Sequence, residues 1–165
     1  MAHHAPMKIH AHLASLVLVL FASLTLSACG GDGASAGGEG VVALEIGGND
    51  AMQFDKTSLE VPAGSTVRLT LWHTGKMSAE LMGHNWVLLA QGADVTAFAT
   101  AAIDAKDSDF IPADMADMVL AHTGVLGGGE SQTIEFAAPP AGTYTFLCSF
   151  PGHFGMMQGQ LVVTP

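Results

Sequence analysis

Basic residues are scarce in this chain, and so is cysteine. Five of its 165 residues are Lys or Arg against 15 Asp or Glu, a formal net charge of −10. Such a surface repels phosphate backbones and argues against nucleic acid as a partner; an electrostatically steered partner would be basic, or would dock on an uncharged patch. Charged residues make up only 12% and hydrophobic ones 49%, which suits one globular domain and leaves little room for two. The apolar run "LASLVLVLFASLTL", Leu13 to Leu26, falls short of the roughly 20 residues a spanning helix needs. Two cysteines, Cys29 and Cys148, allow at most one intramolecular disulfide.

What is there begins with that apolar run. Lys8 and several histidines precede it and "SACGG" follows, giving the basic start, apolar middle and small-residue end of an export signal, with Met7 a better start than Met1. "LSAC", Leu26 to Cys29, resembles the lipobox of bacterial lipoproteins, in which the cysteine is lipidated and becomes the first mature residue. Multiple acylation of Cys29 would anchor the protein stably where a single chain holds only marginally. The expected organisation is a signal over 1–28, the lipidated Cys29 with a flexible Gly/Ser-rich linker over 29–40, and a domain over 41–165. The mature protein would face the periplasm or cell surface, touching the membrane through its lipid alone. With Cys29 modified, Cys148 is a lone thiol in an oxidising compartment, which calls for a reason.

From Val41 the pattern is that of short strands separated by Gly, Pro, Asn and Asp. In "VPAGSTVRLTLWH", Val67, Leu69 and Leu71 share one face and Arg68 and Thr70 the other. "VVALEIG", "HNWVLLA", "SQTIEF", "GTYTFLC" and "GQLVVT" extend the β pattern. The alanine-rich "ADVTAFATAAIDA", Ala93 to Ala105, reads as a helix, and the acidic stretch after it, to Asp117, as a solvated flap. The expected fold is all-β: an antiparallel Greek-key sandwich with one helical flap insertion.

The chemistry concentrates in "CSFPGHFGMM". His153 follows Cys148 by five positions and Met157 follows His153 by four, across a span whose Pro151, Gly152 and Gly155 make it a turning loop. Thiolate, thioether and imidazole together suit copper, Cu(I) in particular, better than a hard cation; zinc is the rival, but takes thioethers poorly. Upstream, "MGHNWVLL" offers His84 at a strand start, which a sandwich can bring to the same end as the loop. His84, Cys148 and His153 then make a trigonal plane with Met157 weakly axial, the donor set of blue-copper electron-transfer centres.

These segments, with "GNDAMQF" and "AHTGVLGGGE", resemble those of the azurins, within the cupredoxin family, in the same order from about Val41 to Val163. The resemblance implies a weak axial contact from the Gly83 carbonyl, Asn85 tying the two ligand loops together, and amides of Asn85 and Phe150 donating to the Cys148 sulfur. It also implies an apolar patch, drawn from Met52, Met82, Phe150 and the solvent-facing edge of His153, where redox proteins dock. Azurins usually carry a disulfide whose positions fall here near Val42 and Gly64, and neither is cysteine. Met156 is assigned to core or rim, Trp72 and Trp86 to core or inter-sheet packing, His73 to a buried hydrogen-bonded place near the site, and His122 to the surface. The implied activity is one-electron shuttling without catalysis; a copper-delivery module is the alternative.

Lipidation is directly testable. Cys29→Ser is expected to move the protein from the membrane to the soluble fraction and abolish radiolabelled palmitate incorporation; a protein whose fractionation ignores this substitution contradicts the anchor.

Overall fold

Alternation decides the first sheet. Residues 66–73 alternate apolar and polar, and in the computed structural model, which describes Met1 and residues 40–165, they form its central strand β4 (Thr66–His73). The signal, Cys29 and the linker lie outside the described residues. Val67, Leu69 and Leu71 are fully buried while Arg68 faces solvent beside Glu135, with Arg68 Nε 2.7 Å from Glu135 Oε1. β4 pairs in parallel with β1 (Val41–Asn49) and antiparallel with β7 (Ser131–Ala137), and the short β2 (Gln53–Phe54) edges β1. The order is β2-β1-β4-β7.

The second sheet runs β3-β9-β8-β5-β6, from β3 (Ser58–Pro62), β9 (Gln158–Thr164), β8 (Gly142–Leu147), β5 (Val87–Leu89) and β6 (Val119–His122). The chain passes repeatedly from one sheet to the other, which makes the expected sandwich. The expectation of a wholly antiparallel one is corrected at two pairs, β1 with β4 and β3 with β9, both parallel. Side-chain alternation is identical for either direction, so the pattern could not separate them.

Between the sheets Ile46, Leu69, Leu71, Trp86, Phe146 and Leu161 are fully buried. The Trp86 ring lies 5.7 Å from Phe146 and 5.8 Å from Phe136, bridging the two layers. Trp72 corrects the other tryptophan expectation. It falls on the Arg68 face of β4 and is 46% exposed.

Val87, Leu88 and Leu89 are all buried because the flap covers the far side of β5. Helix α2 (Val95–Ala102) starts at Asp94, whose Oδ1 accepts from the Ala97 N–H at 3.0 Å. Its Phe98 and Ala99 form a second apolar cluster with Val87, Leu89, Ile111 and Leu147. Phe154, from the loop between β8 and β9, packs against this cluster. The flap therefore holds part of the loop that carries Cys148 and His153. Two short 3-10 turns, Lys106–Ser108 and Ala113–Met118, complete the flap, and a one-turn helix α1 (Ala79–Met82) precedes β5. No helix among the described residues is long and apolar enough to cross a membrane.

The two aromatic environments predict opposite outcomes. Phe146→Ala is expected to destabilise the domain by about 3–5 kcal/mol in urea unfolding, while Trp72→Thr stays within about 0.5 kcal/mol. Comparable losses from both would contradict the layer assignment.

Candidate metal centre

One end of the sandwich gathers the chemistry. His84 enters β5 through an isolated bridge to Leu126, with reciprocal backbone bonds of 3.0 and 2.8 Å. Cys148 directly follows β8, and its N–H donates to the Met157 carbonyl at 2.9 Å. Inside that closure the His153 N–H donates to Phe150 O (3.0 Å) and the Met157 N–H to His153 O (2.9 Å). Gly152 turns the chain with a φ of 84°, a left-handed value that glycine adopts without strain.

This backbone brings three donor atoms together. Nδ1 of His84 lies 3.2 Å from Nδ1 of His153, and the Cys148 Sγ lies 3.6 Å from His153 Nδ1 and 4.0 Å from His84 Nδ1. The circle through these atoms has a radius of about 2.1 Å, within the roughly 2.0–2.3 Å span of metal–nitrogen and metal–thiolate bonds. The side chains are buried, His84 and Cys148 fully and His153 to 3% exposure. The solvent-facing edge expected of His153 is correspondingly narrow.

His84 Nε2 lies 2.9 Å from the Asn49 carbonyl. A neutral ring that donates its one proton there presents a lone pair at Nδ1, inside the triangle. Met157 is fully buried, and Gly48 shows where its end sits: a Cβ on Gly48 would come 2.8 Å from His84 Cδ2 and 3.2 Å from Met157 Cε. Thioether terminus and imidazole edge thus meet over a residue that must lack a side chain. The Gly83 carbonyl oxygen lies 4.0 Å from Sγ. Every residue expected in the metal set therefore lies at this end of the sandwich.

The surrounding bonds lock the geometry. Asn85 Nδ2 donates to Ser149 Oγ and to Asp109 O, both at 2.8 Å, and its Oδ1 accepts from the Ser149 N–H at 2.8 Å. Ser149 Oγ in turn donates to Phe110 O at 2.9 Å. Backbone amides of Asn85 and Phe150 hydrogen-bond the Cys148 sulfur. His73 is buried, its ring stacked on His84 at 4.3 Å and 14°; its Nδ1 accepts from the Gly75 N–H at 3.1 Å, leaving Nε2 to donate to Met82 O at 2.7 Å. His122 is exposed on β6.

Three contributors were not foreseen: Ser149, Asp109 and Phe110. The last two carry φ of 53° and 59°, costly for non-glycine residues and most so for a phenylalanine. Their carbonyls are the two that receive Asn85 and Ser149. A small hydroxyl residue directly after the cysteine was the available signal for Ser149. The expected docking residues Met52, Met82 and Phe150 are half-buried, whereas Leu81 (68%) and Met156 (61%) are the more exposed apolar side chains; Met156 is rim.

Burial sets the protonation states. It drives the Cys148 thiol up to about 12 against the opposing amides, lowers His153 to about 4 with help from the neighbouring His84 and His73, and lowers His84. Near neutrality the two imidazoles are ready to ligate, and the thiol must give up a proton to do so.

With that geometry established, comparison with known proteins is direct. A family model described as copper binding proteins of the plastocyanin/azurin family matches residues 41–164. The chain belongs to that family. It is 37% identical over 166 residues to auracyanin-A of Chloroflexus aurantiacus, covering 95% of this chain and 99% of that protein. It is 46% identical over 123 residues to the azurin of Bordetella pertussis, covering 72% and 81%. Among solved structures, auracyanin A, described as a "blue" copper protein, superposes with a TM-score of 0.68 at 37% identity, covering 76% of this chain and all of that one. The reduced auracyanin of Roseiflexus castenholzii gives 0.67 at 38% identity, covering 74% and 97%. The sandwich is thus a cupredoxin fold, and its cofactor is copper, which the two nitrogens and two sulfurs of the plastocyanin/azurin-type site suit.

Because the folded thiol is protonated across the neutral range, copper binding is expected to release about one proton per ion between pH 6 and 8. Calorimetry in buffers of different ionisation enthalpy reads this directly. Apo-protein stability should also fall as pH drops from about 6.5 towards 4, where unfolded histidines protonate and the buried His153 does not. Copper uptake without proton release would contradict thiolate ligation.

Proposed function

We propose that this protein is a type 1 (blue) copper electron-transfer protein, tethered to a bacterial membrane through Cys29, that passes one electron at a time between redox proteins. The buried triangle of two imidazole nitrogens and one cysteine sulfur, sized for a single ion and with the buried Met157 at the same end of the sandwich, carries the reading. Copper supplies the one-electron Cu(I)/Cu(II) couple when bound there. His84, Cys148 and His153 would hold it through two ring nitrogens and the thiolate, with the Met157 thioether and the Gly83 carbonyl as further, weaker donors. The description of auracyanin A as a "blue" copper protein supports this assignment. The alignment with auracyanin-A covers 95% of the chain and so reaches back before Val41, which accords with an N-terminal segment that belongs to the protein.

The residues explain why such a centre carries electrons and does no catalysis. Asn85 and Ser149 fix both ligand segments to each other and to the flap, so the donors have little freedom to move when the charge on copper changes. The amides aimed at the Cys148 sulfur and the dry surroundings of Met157 favour the reduced state. With all four side-chain donors given to the ion, no position would be left for a substrate. Enclosure of the donors also separates this site from copper-delivery modules, which need exchangeable ligands.

Titration of the purified protein with Cu(II) is expected to give an intense thiolate-to-copper absorption band and narrow copper hyperfine splitting, one ion per chain. Cys148→Ala should abolish both, and Met157→Ala should keep the band while changing the hyperfine pattern. A pale tetragonal signal that survives Cys148→Ala would move the protein to copper handling.

A further inference from the structure

We propose that the groove between the flap and helix α1 is the docking site for a basic redox protein, one of whose lysine or arginine side chains enters it and lies against Phe150. The inference rests on the electron-transfer reading above and adds where the partner sits and what it carries.

The groove has a volume of about 480 Å³. Phe110, Phe150, Ile103 and Val125 provide its apolar walls, and Glu80 and Asp109 provide carboxylates. Its floor leads to the centre by ring contact: Phe110 packs edge-on against Phe150 at 5.1 Å, and Phe150 lies 4.7 Å from the His153 ring. His153 itself is nearly closed to solvent, so the Phe150 face is the wider approach to that ligand. Aliphatic stems and cationic heads both suit this lining, the stem on the apolar wall and the charge over an aromatic face near carboxylates.

Charge selects the partner. Glu80 and Asp109 share the groove lining with one cation, Lys106, and exposed Asp104 and Asp107, next to Ile103 and Lys106 in the chain, line the adjoining cleft. Of the other described basic residues, Lys56 pairs with Asp55 at 3.1 Å and Arg68 with Glu135 at 2.7 Å, while Lys76 is exposed and its backbone N–H donates to Asp50 Oδ2 at 2.8 Å. A basic partner is therefore steered to this side of the ligand loop. Leu81, 68% exposed on α1, and Ile103, 53% exposed on the flap, add the apolar contact of a short-lived complex. In the docked pair the reduced partner would give up one electron and be oxidised while bound copper went from Cu(II) to Cu(I), with no bond formed or broken.

A basic c-type cytochrome serves as the probe. Stopped-flow electron exchange with the copper-loaded protein at low ionic strength, where charges act over roughly 30 Å, is compared for the double variants Glu80→Gln/Asp107→Asn and Glu45→Gln/Glu60→Gln. Both remove two exposed carboxylates, the first from the groove lining and the adjoining cleft and the second from outer strand faces. The expected result is a rate lower by about five- to tenfold for the first pair and by less than twofold for the second. Amide shift mapping of the Cu(I) protein with the cytochrome should place the largest changes at Ala79, Ile103 and Phe150. Equal effects of the two pairs, no effect of either, or shifts centred on Met52 and Met82 would overturn the proposal. A protein that exchanges electrons neither with the cytochrome nor with small inorganic reductants would instead overturn the electron-transfer reading itself.

Discussion

One carboxamide holds this structure's working end together. Asn85 sits between the histidine that opens β5 and the tryptophan that anchors the core, and its side chain makes three hydrogen bonds of 2.8 Å, two to Ser149 and one to Asp109. Fully buried, it has no water to fall back on, so those partners are obligatory. Through Ser149 it sets the backbone on which Cys148 rides, and through Asp109 it ties that backbone to the flap. The donor triangle depends on this knot because its corners come from segments some sixty residues apart.

The flap is more than a cover. Its helix buries the far side of β5 and receives Phe154 from the ligand loop, and its left-handed residues aim two carbonyls at the centre. Strain of about 1–3 kcal/mol at such positions persists only where surrounding contacts determine the conformation. Here those contacts are the bonds that restrain the ligand segments. A site that resists movement between two oxidation states is built from this kind of over-determination.

The metal set was legible because its chemistry is written locally. Cys148, His153 and Met157 lie on one short loop, and His84 is marked by the strand it opens. Strands were legible wherever one face is buried and the other wet, as in β4. Trp72 shows the limit of side-chain size as a signal: a large aromatic suits a core, yet alternation puts it with Arg68 and Thr70 on the outer face of β4. Parallel pairing left no trace, since side chains alternate alike in both directions. The contributions of Asp109 and Phe110 were hidden for a different reason. Aspartate tolerates positive φ, but phenylalanine does not favour it, so only the tertiary bonds reveal why that turn is held.

Stability here is bound up with the ion. Cys148 is a free thiol, so no disulfide braces the described residues, and the centre keeps two imidazoles and that thiol out of water. Those groups are costly to bury empty and favourable to bury around copper, so binding feeds directly into folding free energy. The central claim is that the protein, and not the ion, sets the geometry. X-ray absorption fine structure of the copper site in both oxidation states tests it most directly. The account predicts two nitrogens and one sulfur near 2.0–2.3 Å in each, with distances changing by no more than about 0.1 Å. An added oxygen ligand in the oxidised form, or loss of a histidine on reduction, would contradict it.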